Sequence, residues 1–262
     1  MPETEKEKII EVKDLTAGYG AETVIDDISF DVKKGEVFVI LGESGCGKST
    51  LFKQMIGLDK PMAGEILFEG SDMAKAEGKD RLKILKRIGV MYQSGALFGS
   101  MTLLENMLLP LEEFTKLEEP TRRSVAASKL MLVGLQGFEN YMPAEISGGM
   151  QKRAAIARAM ALDPAILFLD EPSSGLDPIT SVKIDHLILK LSQTLGVTFV
   201  VVTHELSSIF TIAGRVIMLD KKTKKIIAEG NPADLKEHAK DENVRNFFNR
   251  QVSKDEFQDR RN

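Results

Sequence analysis

The spacing of apolar residues along the chain predicts a mixed fold of strands and helices. Apolar and polar residues alternate in 9–15 and 25–32, which is typical of antiparallel strands with one face toward solvent. Segment 36–41 is almost continuously apolar, as expected for a strand that is buried on both faces. Turns beside these strands are predicted at Gly18, Gly20 and 33–35. The first part of the chain therefore predicts a small antiparallel sheet and then a buried strand.

Strands and helices alternate along the rest of the chain. Residues 49–56 predict a helix that ends at Gly57. Strands are predicted at 88–92, 165–169 and 197–203, with an alanine-rich helix from 148 that ends before Asp163-Pro164 and an amphipathic helix at 181–195. This alternation predicts a parallel sheet covered by helices. The pattern turns helical between 102 and 140, with few strand signals, which predicts an inserted helical lobe at about 100–160.

Composition and charge exclude several classes of protein. Hydrophobic residues make up 43% of the 262 residues, enough for one domain, predicted at 1–236, with a buried core. The net charge of −4 argues against nonspecific nucleic-acid binding, so no nucleic-acid partner is expected. Cys46 is the only cysteine, which excludes an internal disulfide. No apolar run approaches the ~18 residues of a membrane helix, so we expect any membrane contact to be indirect.

A glycine-rich loop lies between the predicted strand at 36–41 and the predicted helix at 49–56. Its sequence has the spacing of a phosphate-binding loop, in the structural context that such a loop requires. We expect backbone N–H groups to surround the phosphates, Lys48 to reach the outer ones and Ser49 to offer its hydroxyl to Mg²⁺, while Cys46 contributes only backbone. The alternative is a chance glycine-rich turn. The expected nucleotide contacts are Gly42, Ser44, Gly45, Cys46, Gly47, Lys48, Ser49 and Thr50.

Polar side chains follow three of the predicted strands. Asp170 would hold the magnesium shell, with a water between, and Glu171 is placed to polarise an attacking water. Gln93 would reach both magnesium and water, and His204 would contact the terminal phosphate. Each motif has an alternative interpretation. The two carboxylates could be an acidic turn before a proline, Gln93 a surface residue, and His204 an exposed or capping histidine. Their order along the chain, after a phosphate loop, favours the catalytic interpretation.

A second anion site is predicted where the alanine-rich helix begins. Ser147 and the N–H groups of Gly148 and Gly149 would lie at the positive end of this helix. Because Lys48 already holds the phosphates of its own chain, we expect this turn to contact the nucleotide of a second copy. The sequence therefore predicts a homodimer with shared nucleotide sites.

The order of these motifs resembles that of the ATP-binding-cassette ATPases over nearly the whole chain. The resemblance implies an α/β phosphate-loop core, an antiparallel β subdomain and an inserted helical lobe, with ATP and Mg²⁺ bound. It also implies that Tyr19 stacks on adenine, although a tyrosine at a strand edge is often simply packing. Asp177 would lie in the loop that crosses the dimer interface. The matching motifs are Tyr19, 42–49, Gln93, 146–149, 169–171, 174–177 and His204.

Met150 stands where this family usually has glutamine. Together with the sequence Gln-Ser-Gly-Ala-Leu-Phe at 93–98, it resembles the ATPases of phospholipid transporters that work with mammalian-cell-entry-type lipid-binding proteins. The resemblance implies a peripheral ATPase on the cytoplasmic face of a bacterial inner membrane, with two transmembrane permease subunits; a small accessory subunit is left open. The alternatives are an importer ATPase for another small solute, a soluble cassette ATPase without a transport role, and a regulator that only binds nucleotide. Intact Lys48, Asp170 and Glu171 argue against the regulator.

Two apolar clusters are candidates for partner contacts. Residues 95–98 and Met101 belong either to the core of the lobe or to a groove for a helix of a membrane subunit, where the family places its coupling helices. In the charged extension 237–262, Val244, Phe247, Phe248 and 251–252 form an apolar face at helical spacing. It packs either on its own domain or on another chain. We expect the second, because the catalytic motifs are complete before it.

Overall fold

A computed structural model describes residues 7–251 as two sheets with helices around them. The strands are β1 (Lys8–Tyr19), β2 (Glu22–Lys33), β3 (Val37–Gly42), β4 (Ala63–Phe68), β5 (Ser71–Asp72), β6 (Ile88–Met91), β7 (Ile166–Asp170), β8 (Thr198–Val202), β9 (Arg215–Leu219) and β10 (Ile226–Gly230). The helices are α1 (Lys48–Met55), α2 (Gly78–Lys86), α3 (Leu103–Phe114), α4 (Glu119–Leu132), α5 (Gly148–Ala159), α6 (Pro178–Leu195), α7 (Leu206–Ile212), α8 (Pro232–His238) and α9 (Glu242–Asn249). Within residues 7–251, none of these helices has the length and apolar character that crossing a bilayer requires.

The larger sheet has the strand order β10-β9-β3-β8-β7-β6. Neighbouring strands from β9 to β6 are parallel, and only β10 runs antiparallel, to β9. The predicted parallel sheet is therefore confirmed. Because the strands are parallel, the carboxyl ends of β3, β6, β7 and β8 lie at one edge, where ligands usually bind in such sheets.

Strand β3 is apolar throughout because both of its faces are buried. Phe38 and Ile40 face a core shared with the antiparallel sheet and helix α1, whereas Val39 and Leu41 face a second core under the remaining helices. Alternate side chains of a strand point to opposite faces, so two cores require one continuous apolar run.

The smaller sheet is antiparallel, in the order β2-β1-β4-β5, and its first two strands match the predicted ones. Gly18 was expected in a turn, but it lies inside β1. A Cβ atom at Gly18 would come within 1.9 Å of the carbonyl oxygen of Glu22, so the close approach of β2 requires glycine there. The turn itself falls at Gly20, whose φ of 59° is in the left-handed region.

The segment before α3 is fixed by polar contacts inside the helical lobe. Thr102 and Glu105 form a capping box at the start of α3. Asn106 is completely buried; its Oδ1 accepts from Phe98 N at 2.8 Å, and its Nδ2 donates to the carbonyl oxygens of Phe98 and Met101 at 3.1 Å each. These bonds hold the backbone that presents the side chain of Phe98.

Helix α9 packs on its own domain. Val244 and Phe248 are buried in the core under the helices, and the ring centroid of Phe248 lies 5.8 Å from that of Phe210 in α7. The expectation that this face docks on another chain is therefore wrong for Val244 and Phe248, because both side chains are already buried within their own domain. Residue 252 and the rest of the extension to 262 lie outside the described residues.

Replacing Phe248 by alanine is expected to lower the free energy of unfolding by about 3–5 kcal/mol, since a buried ring leaves a cavity. Denaturant unfolding of the full chain measures the loss. Phe247→Ala is the matched control, because Phe247 is only partly buried and should cost less. Equal, small losses for both variants would contradict the packing. Truncation after Lys236 removes the same buried side chains, so it would destabilise the domain as well as test assembly.

Candidate functional site

Polar side chains from four parallel strands meet at one edge of the larger sheet. The loop 42–49, called the glycine loop below, follows β3, and Gln93 follows β6. Asp170 and Glu171 end β7, which pairs with β8 so that Asp170 lies opposite Val202, just before His204. The structure therefore brings the separate sequence motifs together at the carboxyl edge.

The glycine loop depends on its glycines for steric reasons. A Cβ at Gly42 would lie 2.5 Å from Leu219 O, and one at Gly47 would lie 2.9 Å from Ile25 Cγ1. Gly42, Gly45 and Gly47 have φ values of 146°, 79° and 105°, which disfavour other residues. The loop thus keeps its backbone N–H groups free of side chains that would block an anion.

Lys48 lies across the glycine loop. Its Nζ donates to the carbonyl oxygens of Gly42 at 2.7 Å and Glu43 at 2.8 Å. Ser44 and Ser49 are exposed, whereas the side chain of Cys46 is buried between the sheets. Burial raises the pKa of the Cys46 thiol, so the thiol remains uncharged and only its backbone can serve an anion.

Tyr19 and Thr50 lie beside the first turn of α1. The Thr50 hydroxyl donates to the hydroxyl of Tyr19 at 3.4 Å, and Lys53 Nζ lies 5.7 Å from the centre of the Tyr19 ring. Tyr19 is 51% exposed, while Thr50 is buried. Thr50 can therefore meet a nucleotide only through its backbone N–H, which lies among the unpaired N–H groups at the start of the helix.

Glu171 is buried and fixed by its neighbours. Its Oε1 accepts from His204 Nδ1 at 2.7 Å, its Oε2 accepts from the Thr203 hydroxyl at 3.3 Å, and its φ of 47° is left-handed. The structure thus places His204 directly against Glu171. Burial, followed by the charge of Glu171, raises the pKa of Asp170.

Gln93 is held at both its side chain and its backbone. Its Nε2 donates to Ser174 Oγ at 3.2 Å, and Lys152 of α5 donates to its carbonyl oxygen. Lys152 was not predicted as a site residue. A signal was present in the sequence, because Lys152 lies between Gly149 and Ile156 on the buried face of α5 at helical spacing. Burial lowers the pKa of Lys152, while the charges of Asp170 and Glu171 act in the opposite direction.

The two exposed turns at 146–149 and 174–177 lie next to each other. Ser147 caps α5 by accepting from Met150 N at 3.3 Å, which leaves its hydroxyl proton free to donate. A Cβ at Gly149 would lie 2.4 Å from Thr180 Cγ2, so the starts of α5 and α6 pack closely. Asp177 caps α6 by accepting from Ile179 N at 3.1 Å and Thr180 N at 3.0 Å. Hydrogen bonding from the Thr180 side chain, followed by these backbone N–H groups, lowers the pKa of Asp177.

The residues at the sheet edge fit a magnesium ion that is shared with phosphates. Within residues 7–251, no group of three or more His, Cys, Asp and Glu side chains could hold a metal by itself. Ser49 and Gln93 are exposed, and the partly buried carboxylate of Asp170, whose pKa is raised by burial, ends the neighbouring strand β7. Mg²⁺ is usually bound by one or two carboxylates together with phosphate and water oxygens, which matches this donor set.

The sequence is similar to ATP-binding proteins of bacterial transporters. It is 44% identical over 213 residues to the probable ribonucleotide transport ATP-binding protein mkl of Mycobacterium leprae, with 81% of this chain and 61% of that protein covered. The chain thus spans about three fifths of the length of this relative. It is 41% identical over 229 residues to the intermembrane phospholipid transport system ATP-binding protein MlaF of Haemophilus influenzae, with 87% and 86% covered. Against MlaF of Escherichia coli K12 the identity is 39% over 240 residues, with 92% and 88% covered.

The fold is similar to solved ATP-binding cassettes. It matches cbiO1 from Clostridium perfringens, part of the ABC transporter complex cbiONQ, with a TM-score of 0.80, 29% identity, and 87% and 90% of the two chains covered. It matches the cassette MJ0796, in a dimeric post-hydrolysis state with ADP and Pi, with a TM-score of 0.76, 33% identity, and 85% and 98% covered. The family model described as ABC transporter matches residues 25–174, more than half of the chain. The chain therefore belongs to the ABC transporter family and carries the ATPase domain of that family.

Proposed function

We propose that this chain hydrolyses ATP as a homodimer and drives two transmembrane permease subunits of a phospholipid transport system. It would act as a peripheral subunit on the cytoplasmic face of a bacterial inner membrane. The observation that carries this proposal is an apolar groove lined by Val90 and Ala96, which lie three residues before and three after Gln93, so that a partner in the groove would adjoin the segment that carries Gln93.

The site chemistry supports ATP hydrolysis. Lys48 and the N–H groups of the glycine loop hold the phosphates, and Tyr19 stacks on adenine with the exposed part of its ring. Glu171 polarises the attacking water, and its bonds to His204 and Thr203 fix its orientation. Ser49, Gln93 and, through water, Asp170 hold Mg²⁺, which when bound offsets the charge of the phosphates.

The dimer is supported by the two adjacent turns. Ser147 and Gly148 are exposed at the start of α5, where the Ser147 hydroxyl and the N–H groups of the first turn would form an anion site at a helix N-terminus. Next to it, Ile179 and Val182 lie three residues apart on α6 and are 71% and 45% exposed, so apolar surface on this side of the helix is open to a partner. A second copy would cover these residues and complete each ATP site.

The groove, called the lobe groove below, lies between the catalytic core and the helical lobe. It has a volume of about 760 Å³ and is open to solvent along one side. Its walls are mainly apolar, with two charged side chains, those of Glu113 and Arg158. The lining residues include Leu85, Ile88, Val90, Ala96, Phe98, Leu109, Pro110, Glu113, Phe114, Arg158 and Leu162.

The lobe groove is built to receive a helix. The guanidinium of Arg158 lies 5.6 Å from the Phe98 ring centre and donates to Ala96 O at 2.6 Å, while Asn106 fixes the Phe98 backbone. Phe98 nevertheless remains 48% exposed. A rigid apolar groove of this size suits the apolar face of a short amphipathic helix, and we assign it to a cytoplasmic helix of the permease.

The lipid substrate is supported by the relatives. The two phospholipid-transport relatives align along 86% and 88% of their own length, against 61% for the mycobacterial relative with the ribonucleotide name. On this basis we propose a phospholipid as substrate, with a mammalian-cell-entry-type lipid-binding protein in the complex. A small accessory subunit is a further proposed component.

Replacing Phe98 by aspartate is expected to reduce the amount of permease that copurifies with the chain in mild detergent by at least roughly 10-fold, since a central aromatic contact typically contributes 2 kcal/mol or more. Leu195→Asp is the matched control, because Leu195 is also 48% exposed and does not line the groove. ATP binding should be the same in both variants. Mass spectrometry of the wild-type complex identifies its proteins and lipids.

Three results of this experiment would contradict parts of the proposal. Equal recovery of permease with Phe98→Asp and Leu195→Asp would reject the groove as the docking site. A complex without phospholipid but with another solute would reject the substrate. Absence of any integral membrane protein would favour a soluble cassette ATPase.

A further inference from the structure

Lys152 is a buried lysine that the proposed chemistry does not use. Only 9% of it is exposed, and its Nζ donates to the backbone carbonyl oxygen of Gln93. Within residues 7–251, no carboxylate oxygen lies within 4.0 Å of its Nζ, so Lys152 is not half of a structural ion pair. Burying a lysine without a close partner is costly, and an apolar residue would fill this place in α5 more favourably.

Lys152 lies near the proposed catalytic residues. The charges of Asp170 and Glu171 both act on its ammonium group, although neither carboxylate is its hydrogen-bond partner. The ammonium group is therefore close enough to both carboxylates to feel their charge, while its hydrogen bond goes to the backbone of Gln93. A buried cation with this single polar partner among the described residues suits a residue that orients the glutamine.

Gln93 is thus attached to both segments that we expect to meet the second copy. Its side chain is bonded to Ser174, in the turn that leads to Asp177. Its backbone is bonded to Lys152, five residues along α5 from Ser147, and a helix is stiff over this distance of about 7.5 Å. A shift of either turn against the partner would move Gln93.

Resting on the proposed ATPase function, we propose that Lys152 is a positioning residue that sets the place of Gln93 and connects it, through α5, to the Ser147 turn at the second copy's nucleotide. Lys152 itself touches neither nucleotide nor magnesium. Its effect on hydrolysis therefore passes through Gln93, and removal of Lys152 should matter only while Gln93 is present.

A double-mutant cycle on the full-length chain tests this assignment. Because partners that orient a metal-site residue typically contribute about 10- to 100-fold, Lys152→Met should lower kcat by that factor, with KM for Mg·ATP changed by less than about 3-fold. Lys152→Arg, which keeps the charge and the donor, should recover most of the rate. In a Gln93→Ala background, Lys152→Met should have almost no further effect on kcat.

Arg153→Met is the matched control on the same helix. Arg153 is also a partly buried cation that donates to backbone carbonyls, those of Val133 at 2.8 Å and Gly134 at 3.0 Å, but these lie in the helical lobe. Its effect on kcat, small or large, should multiply with that of Gln93→Ala. Thermal unfolding of each variant separates loss of folded protein from loss of rate. If Lys152→Met does not fold, Lys152→Gln takes its place in the cycle.

The outcomes separate this inference from the proposed function. Normal turnover in the wild type together with independent, multiplying effects of Lys152→Met and Gln93→Ala would overturn the positioning role alone. The same holds for a loss confined to KM, or for a Lys152 variant that folds and turns over normally. A folded wild type that binds ATP without turning it over would overturn the proposed function and this inference together.

Discussion

Replacing Glu171 by glutamine is expected to lower ATP turnover by about 10²–10⁴-fold, the usual contribution of a positioned general base. The amide has the shape of the carboxylate but cannot accept a proton from water. ATP should still bind, because the glycine loop and Lys48 are unchanged. Since bound ATP would join the two copies and hydrolysis would release them, the variant should accumulate as an ATP-bound dimer.

Two measurements check this result: phosphate release under saturating Mg·ATP, and the mass of the particle by light scattering with and without ATP. Glu205→Gln is the control, because Glu205 directly follows His204 but its carboxylate accepts from Ser173 Oγ at 3.4 Å, whereas that of Glu171 accepts from Thr203 and His204. The control should hydrolyse ATP and dissociate normally. Full turnover in Glu171→Gln would mean that another group activates the water.

Replacing Lys48 by alanine is expected to weaken ATP binding by roughly 30-fold to several thousand-fold, because removing one member of a hydrogen-bonded charge pair costs about 2–5 kcal/mol. The phosphates would keep their charge and lose their cation. The loop would also lose the two bonds by which Lys48 Nζ joins Gly42 O and Glu43 O. Turnover at limiting ATP should fall as the affinity falls. Lys48→Ala therefore impairs ATP binding, whereas Glu171→Gln impairs hydrolysis of bound ATP.

Isothermal titration with ATP measures this loss of affinity directly. Lys60→Ala serves as the control, since Lys60 is an exposed lysine after α1 and outside the glycine loop. Circular dichroism confirms that both variants are folded. An unchanged dissociation constant for Lys48→Ala would show that the glycine loop does not hold the phosphates.

Much of the fold was determined by local patterns in the sequence. Strand β3 could be predicted from its continuous apolar run, because a strand between two cores needs apolar residues on both faces. The glycine loop could be recognised because Gly42 and Gly47 have positive φ values and close neighbours, the backbone of Leu219 and the side chain of Ile25, which strongly favour glycine. Asp170 and Glu171 were found because they end an apolar strand, and parallel strands end at one edge. The roles proposed for the two carboxylates remain predictions.

Other features depended on which segments pack together, and spacing along the chain does not contain that information. The apolar face of α9 was recognised, but only the structure places Phe248 against Phe210 of its own domain. Lys152 was overlooked despite its place on the buried face of α5, because a lysine normally indicates a solvent-exposed position and its partner lies 59 residues away along the chain. Strands β4, β5, β9 and β10 and helices α2, α7 and α8 were missed because they are short and their periodicity is weak.

The sequence by itself determined the kind of chemistry, because phosphate loops and acidic strand ends need particular residues at fixed short spacings. The tertiary structure decided how these parts are connected: His204 on Glu171, and Gln93 between Ser174 and Lys152. Contacts of this type join residues that are distant in sequence and are formed only when the sheet aligns the ends of its strands. Short-range patterns indicate which face of a segment is buried. Only the long-range contacts show which other segment covers that face.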